Sequence, residues 1–450
     1  MSEDNVVQLR PADDEVAELN KTYAVILLGN QFVVMKQGKT ADGKPSRNFM
    51  TVGSFENWMG NRVKLLTNPK GETKPMPLAK YWLQHPQRRQ YDGVIFRPQK
   101  EVDGYFNLWT GFAVQPQPGC CDKFLAHVRD NVCRGCDDHY SWVIGFFADV
   151  VQKPGEKKDV SLALRGKPGT GKTKVAEVFG GLLGEHYVPV SDPRYVTGRF
   201  NGHMLSCLLM CADEGFWAGD KAAEGKIRDM ISGKTHPIEL KGKESEWVEN
   251  HMRLLVIGNE EWIVPAAMKE RRFCVLDVGE DHIRDHPYFA AIDEEMDNGG
   301  RAALLHYLLN FDLTKVDLRK IPDTAALTDQ KIASLSVNEQ WWLDVLKRGE
   351  LPGGVGSSCP TQALYESYVR RTDDVGRRRK SMETELGMFL HKLMPELRIT
   401  RPRTSDGKPR IRKYEFPSLK ECRGRFAETM RTDLAWDEQE EWEKDPGPTM

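Results

Sequence analysis

The sequence has 450 residues, with 64 lysines and arginines against 66 aspartates and glutamates, so its formal net charge is −2. This length predicts about two to four domains, and 40% hydrophobic with 29% charged residues excludes a fibrous or wholly disordered chain. No apolar run is long enough to cross a membrane, the acidic N-terminus lacks a signal-peptide pattern, and nine scattered cysteines favour a reducing cytoplasm.

Changes in composition divide the chain into segments, which we take in order. Residues 1–20 carry six acids and one base, which predicts a flexible end. β-like runs predict an α+β module over 21–118, an apolar helical stripe predicts a collar over 119–155, and alternating strands and helices predict an α/β core over 156–280 with a parallel sheet. The remaining segments are helical (281–350), a Gly/Pro-rich linker (351–360), a basic domain (361–430) and an acidic tail (431–450).

The strongest local pattern is a glycine-rich segment that follows an apolar run. Residues 166–173 read G-K-P-G-T-G-K-T, which matches the phosphate-binding pattern G-x-x-x-x-G-K-[ST] in full. Residues 160–165 predict a buried strand before it, and apolar residues at helical spacing follow. In such a loop Lys172 would reach the β- and γ-phosphates and Thr173 would bind Mg²⁺. The expected nucleotide contacts are Gly166, Lys167, Pro168, Gly169, Thr170, Gly171, Lys172 and Thr173.

An apolar run about 40 residues later ends in two acids, Asp213 and Glu214. A carboxylate at the end of a central strand can hold Mg²⁺, and its neighbour can polarise an attacking water. We assign Asp213 to the metal and Glu214 to the general base. Solvated acids often end strands, so this interpretation depends on the phosphate loop that precedes them.

Two further strand-like runs carry polar residues of interest. Asn259 follows the first and could orient the lytic water or sense the γ-phosphate, although a simple turn residue is the alternative. Arg271 and Arg272 precede the second. An arginine at a subunit boundary can stabilise transition-state charge on a neighbour's nucleotide, whereas a solvated pair is the alternative.

The C-terminal domain is strongly basic although the total charge of the chain is near neutral. Residues 361–425 hold 17 lysines and arginines against 9 acids. Two amphipathic helices and a basic hairpin predict a winged-helix pattern, for which DNA is the expected partner, while a basic surface that only packs on the core is the alternative. The expected DNA contacts there are Arg377, Arg378, Arg379, Lys380, Arg410 and Arg412.

The motifs of the core, in this order and spacing, resemble superfamily 3 helicases, a viral branch of the AAA+ ATPases. The resemblance covers roughly residues 20–345 and is most specific within 104–279. Within the superfamily, the sequence most resembles phage primase-helicase proteins of the poxvirus helicase-primase type. The resemblance implies an AAA+ core, ATP and Mg²⁺ as cofactors, and a homo-oligomeric ring, commonly a hexamer, around single-stranded DNA in a bacterial host cell.

The resemblance also implies roles that the residues alone do not decide. A hairpin over 239–244 would carry Lys241 and Lys243 into the pore, where phosphates are contacted without base readout. An Arg-Phe pair supplies the arginine finger in related helicases, which favours Arg272 over Arg271. Residues 21–150 lack an acidic pair in a strand-like setting for two metals, so we expect a helicase subunit without primer synthesis, served by a separate primase or replication protein.

Several weaker features and alternatives remain open. The cysteines at 120, 121, 133 and 136 could bind zinc, but an adjacent pair is poor ligand geometry. Trp341 and Trp342 are expected to pack between helices, with stacking on nucleic-acid bases as the alternative. An ATP-switched loader or scaffold without unwinding activity, and a P-loop kinase acting on a small molecule, are the alternatives to a helicase.

Overall fold

The computed structural model describes residues 14–29, 31–41, 43, 45–67, 71–198, 201–213, 221–239, 246–266, 270–374, 382–402, 410–432 and 434–443. It is a mixed α/β structure with one parallel sheet, several small antiparallel sheets and many helices. Among these residues, no helix is both long and apolar enough to span a bilayer.

The N-terminal module, which the sequence predicts to be α+β, is built around an antiparallel hairpin. β1 pairs with β2 and β2 with β3, while β6 adds in parallel to β1. Tyr23, Phe55 and Trp82 pack against one another in its core. Its elements are α1 (Asp14–Thr22), β1 (Tyr23–Leu28), β2 (Gln31–Lys39), β3 (Pro45–Thr51), α2 (Val52–Trp58), β4 (Val63–Thr67), β5 (Thr73–Pro77), α3 (Leu78–Gln84), β6 (Gln90–Tyr91), β7 (Gly93–Ile95) and β8 (Tyr105–Asn107).

The collar is helical but not continuous. α4 (Asp122–Ala126) runs into a π-helical turn (His127–Val132), the chain reverses near Arg134 and Gly135, and α5 (Asp137–Gln152) follows. α5 is almost wholly buried because its apolar residues occupy every side, so it packs between the core sheet and later helices.

The α/β core contains a five-stranded sheet in which every neighbouring pair is parallel, in the order β10-β11-β14-β9-β15. Apart from polar residues at their ends, β9, β11, β14 and β15 are continuously apolar and buried, as expected when both faces of a sheet are covered. The elements are β9 (Ser161–Arg165), α6 (Lys172–Leu183), β10 (Tyr187–Val190), α7 (Pro193–Thr197), β11 (Leu209–Asp213), α8 (Lys221–Ser232), β12 (Thr235–Ile238), β13 (Glu246–Glu249), β14 (Arg253–Gly258) and β15 (Phe273–Asp277).

Helices follow the core, and α12 to α15 share a separate hydrophobic cluster. Trp341 and Trp342 are fully buried in that cluster, which confirms that they pack between helices. A three-stranded antiparallel sheet, in the order β16-β18-β17, covers its helices. The elements are α9 (His286–Glu295), α10 (Arg301–Leu309), α11 (Ala325–Ala333), α12 (Val337–Arg348), β16 (Ser358–Pro360), α13 (Thr361–Asp374), α14 (Glu383–Leu393), β17 (Arg398–Thr400), β18 (Lys413–Glu415) and α15 (Leu419–Met430).

The structure differs from the expected segments at both ends and at the linker. α1 begins at Asp14, within the segment expected to be flexible, because its apolar face packs on the first sheet. The expected linker 351–360 contains β16 and buries Cys359 in the C-terminal cluster. Part of the expected acidic tail is also packed, since Trp442 is buried against Trp342 and Phe416.

Candidate functional site

The phosphate-binding loop lies between β9 and α6, in the strand-loop-helix setting that the sequence predicts. Gly169 and Gly171 have φ values of 85° and 90°, in the left-handed region that favours glycine. Lys172 is buried, and its Nζ donates to the carbonyls of Gly166 (2.6 Å) and Lys167 (2.8 Å). The lysine therefore lies inside the loop, at the position from which it can meet a phosphate.

Asp213 and Asn259 lie beside this loop because their strands are its neighbours in the sheet. β11 pairs with β14 and β14 with β9, all in parallel, so the three carboxyl ends share one edge. Asp213 is the last residue of β11, and Asn259 directly follows β14. Both line a cavity of about 410 Å³, together with residues 168–174. The structure thus brings together three of the separately predicted motifs.

The cavity has a second wall that sequence reasoning missed. Arg284 lines it from just before α9, His286 and Phe289 line it from the first turn of α9, and Glu177 lines it from α6. Lys174, also in its lining, is held to α9 by an ion pair with Asp293, at 2.6 and 2.8 Å. These α9 residues are more than 100 positions from the loop, so no local pattern linked them to it.

The start of the loop is fixed by an arginine that also carried no sequence signal. Arg165 ends β9, and its guanidinium donates to Asp277 (2.6 and 2.9 Å) and to Asp329 (2.7 Å). Hydrogen bonding to Asp277 is the main cause that raises the pKa of Arg165. The two carboxylates connect the end of β9 to β15 and to α11.

Arg271 and Arg272 lie at the amino-terminal ends of the strands, opposite the carboxyl ends where the phosphate loop lies. They precede β15, whose first residue, Phe273, pairs with Ser161 at the start of β9. A five-residue strand separates these amino-terminal ends from the loop by about 16 Å. Arg271 is exposed, whereas Arg272 is half-buried and pairs with Glu270 at 3.2 Å. Neither arginine can therefore reach the cavity of its own chain.

Several predicted residues lie outside the residues that the structure describes. They are Glu214, Lys241, Lys243, Arg377, Arg378, Arg379 and Lys380. On either side of residues 240–245, β12 pairs antiparallel with β13. Arg410 and Arg412 are exposed just before β18, at the base of the predicted hairpin.

The donor set at the cavity fits a magnesium ion bound with a nucleotide. Thr173 and Asp213 both line the cavity and offer a hydroxyl and a carboxylate, the hard oxygen ligands that Mg²⁺ prefers. Within the described residues, no three His, Cys, Asp or Glu side chains are grouped to hold a metal by themselves.

The cysteines considered as zinc ligands include two buried thiols. Cys121 and Cys133 are buried, and burial raises the pKa of both thiols to about 12.

Comparison with known proteins gives matches in fold and in one segment. Residues 164–272 match a model described as a family of unknown function (DUF5906). This segment runs from the end of β9 to Arg272, so it contains the phosphate loop, Asp213 and Asn259. No curated protein matches the sequence.

Among solved structures, the chain is similar to the apo form of the NrS-1 C-terminal region. The A form of that region gives a TM-score of 0.62 at 15% sequence identity, with 89% of this chain and 98% of that chain covered. A second apo structure gives 0.59 at 16% identity, with 90% and 100% covered. The two proteins share a fold. At this level of identity the likeness extends to architecture over nearly the whole chain.

Proposed function

We propose that this chain is an ATP-dependent DNA helicase of the superfamily 3 type, acting in phage or prophage replication as a ring on single-stranded DNA. The observation that carries the proposal is the single cavity shared by the phosphate loop, Asp213 and Asn259. Those three features come from separate strands, and they are the parts that hydrolysis of a nucleoside triphosphate requires. The phage context comes from the resemblance of the sequence motifs.

Each residue has a distinct task in this proposal. Lys172 and the loop amides bind the β- and γ-phosphates, and Thr173 with Asp213 would hold Mg²⁺, which offsets phosphate charge when bound. Glu214 accepts the proton of the attacking water, and Asn259 orients that water or the γ-phosphate. Arg272, with Arg271 as the second choice, stabilises charge on the nucleotide of the neighbouring subunit.

The architecture supports this assignment at two places. The order β10-β11-β14-β9-β15, with the phosphate loop after β9 and Asp213 at the end of β11, fits an AAA+ core. In the C-terminal domain, three helices and a three-stranded antiparallel sheet, with β17 and β18 as a hairpin, fit a winged helix. The domain's excess of 8 positive charges over 361–425 favours DNA phosphates as its ligand.

The position of the arginine pair favours a ring over a kinase that works as a monomer. Arg271 and Arg272 are at the edge opposite their own cavity, so a role at a nucleotide needs a second subunit. Mixing Arg272→Ala chains with Lys172→Ala chains tests this. In a ring, mixed interfaces pair an intact loop with an intact arginine and recover ATP hydrolysis. Purely additive activity of the two inactive variants would contradict the shared site.

A loader or scaffold that uses ATP only to switch assembly needs the same cavity. ATP hydrolysis with added single-stranded DNA therefore tests the site but does not separate the two activities. We expect hydrolysis to depend on Mg²⁺, to rise when DNA is added, and to disappear in Lys172→Ala. Absence of hydrolysis by the wild-type chain under all these conditions would refute the proposal.

A further inference from the structure

The collar contacts the phosphate loop from behind, through its π-helical turn. Asn131 is buried in this turn, and its Nδ2 donates to the carbonyl of Thr170 at 2.8 Å. The backbone carbonyl of Asn131 accepts from the amide of Gly279 (2.7 Å), just beyond β15. Asn131 is therefore held by the core on one side and holds the phosphate loop on the other. Single π-helical turns are frequent at functional sites.

His127, four residues earlier, makes the equivalent contact with the next peptide. Its Nε2 is 3.4 Å from the carbonyl of Gly171, and its Nδ1 is 3.1 Å from the hydroxyl of Tyr288. Burial lowers the pKa of His127 to about 4, so the ring is neutral near pH 7. A carbonyl can only accept, so Nε2 carries the proton and Nδ1 accepts from Tyr288.

The contact with Gly171 is close enough to restrict that position. A Cβ atom placed on Gly171 would lie 2.5 Å from Cε1 and 2.6 Å from Nε2 of His127, and 2.7 Å from Phe289. Tyr288 is fixed in turn, because its ring stacks on His282 at 3.6 Å and its amide donates to Asp285. The histidine is thus wedged between the loop and the first turn of α9.

These two contacts help to fix the direction in which the loop amides point; the carbonyl of Gly171 also accepts from the amide of Val175, in α6, at 3.2 Å. In a trans peptide, the C=O and the N–H of one unit point in opposite directions. Asn131 holds the carbonyl of Thr170, and His127 shares the carbonyl of Gly171 with Val175. The N–H groups of Gly171 and Lys172 are therefore turned the other way, toward the cavity. Amides at this place in a phosphate loop bind phosphate oxygens.

We propose that Asn131 and His127 are positioning residues for phosphate binding: from the collar, they orient the amides of Gly171 and Lys172 before any ligand arrives. The inference rests on the proposed nucleotide site and adds a requirement for the collar. A hydrogen bond of this kind changes affinity by roughly tenfold. Asn131→Leu and His127→Leu are therefore each expected to weaken binding of ADP and of inorganic pyrophosphate by about tenfold.

The test is calorimetric titration of the full chain with ADP and, separately, with pyrophosphate, both with Mg²⁺. Asn250→Leu is the matched control, because Asn250 is also buried and donates to the carbonyls of Met230 (2.8 Å) and Gly233 (3.0 Å), away from the cavity. It should lose similar thermal stability but keep wild-type affinity. His127→Gln, whose amide can still donate, should recover part of the loss and carries the test if His127→Leu does not fold.

The outcomes separate this inference from the proposed function. If the wild-type chain binds neither probe, the nucleotide site itself is refuted. If the wild type binds but Asn131→Leu and His127→Leu match it for both probes, the positioning role is overturned; if His127→Leu does not fold, Asn131→Leu alone decides. A loss for ADP with unchanged pyrophosphate affinity also overturns it, because the damage would then lie at the nucleoside side near Phe289.

Discussion

A buried ion pair joins the collar to the sheet that carries the candidate site. Arg253 begins β14, and its guanidinium donates to the carbonyls of Pro154 (2.8 Å) and Lys153 (2.7 Å) and lies 3.3 Å from a carboxylate oxygen of Asp149. Both side chains are at most 5% exposed. Burial lowers the pKa of Arg253 to about 10 and raises that of Asp149. We expect Arg253→Met to release the start of β14 from the end of α5.

The magnitude follows from what the substitution leaves behind. Removing one partner of a buried pair leaves an uncompensated charge, so Arg253→Met should cost about 3–5 kcal/mol. Adding Asp149→Leu removes that charge, and the double variant should cost only about 1–3 kcal/mol, because the carbonyls still lose their donor. Without Arg253, the buried Asp149 carboxylate is an unpaired charge, and protonation of Asp149 removes that charge. The deficit of the single variant should therefore grow as the pH rises and shrink as the pH falls toward the raised pKa of Asp149.

Hydrogen exchange read by mass spectrometry suits this measurement, because the chain has several hydrophobic cores and need not unfold in one step. The free energy of opening is taken from the amides of β14, with those of β1 as an internal control. The reasoning is refuted if Arg253→Met lowers the free energy of opening by less than about 1 kcal/mol, or if the double variant lowers it as much as Arg253→Met alone.

Three further predictions concern the site, the DNA contact and the C-terminus. Asp213→Asn should keep nucleotide affinity within a few-fold but reduce Mg²⁺-dependent hydrolysis by about 100-fold or more, measured as phosphate release; unchanged hydrolysis would remove Asp213 from the metal site. Lys241→Ala with Lys243→Ala should keep nucleotide binding but abolish stimulation of hydrolysis by DNA; undiminished stimulation would assign these lysines to a solvated turn. Trp442→Ala should destabilise the C-terminal cluster by about 3 kcal/mol, measured by hydrogen exchange at the amides of α15, because it empties the space beside Trp342 and Phe416; a loss below about 1 kcal/mol would show that this end packs loosely.

The sequence predicted those parts of the site that depend on local patterns. The phosphate loop, Asp213 and Asn259 each follow an apolar strand, and the carboxyl ends of parallel strands meet at one edge. Their proximity could therefore be expected before the structure was known. Two antiparallel pairs were also expected: β12 with β13 from the family resemblance, and β17 with β18 from the basic hairpin pattern.

The residues that the sequence missed depend on tertiary contacts between distant segments. His127 and Asn131 reach the loop only because a π-helical turn widens the collar helix, and no residue pattern signals such a turn. Arg284 and Phe289 reach it through the packing of α9 against α6. The short strand β16 could not be predicted, because it lies in a Gly/Pro-rich segment and three residues are too few for an alternating pattern.

The central claim, that ATP hydrolysis at this cavity drives separation of DNA strands, is tested most directly by strand displacement on a forked duplex. The wild-type chain with ATP and Mg²⁺ is compared with Lys172→Ala and with a non-hydrolysable ATP analogue. We predict release of the labelled strand by the wild type with ATP, and no release in either control. If the wild type hydrolyses ATP when DNA is added but never separates the strands, the helicase assignment is contradicted and the loader remains.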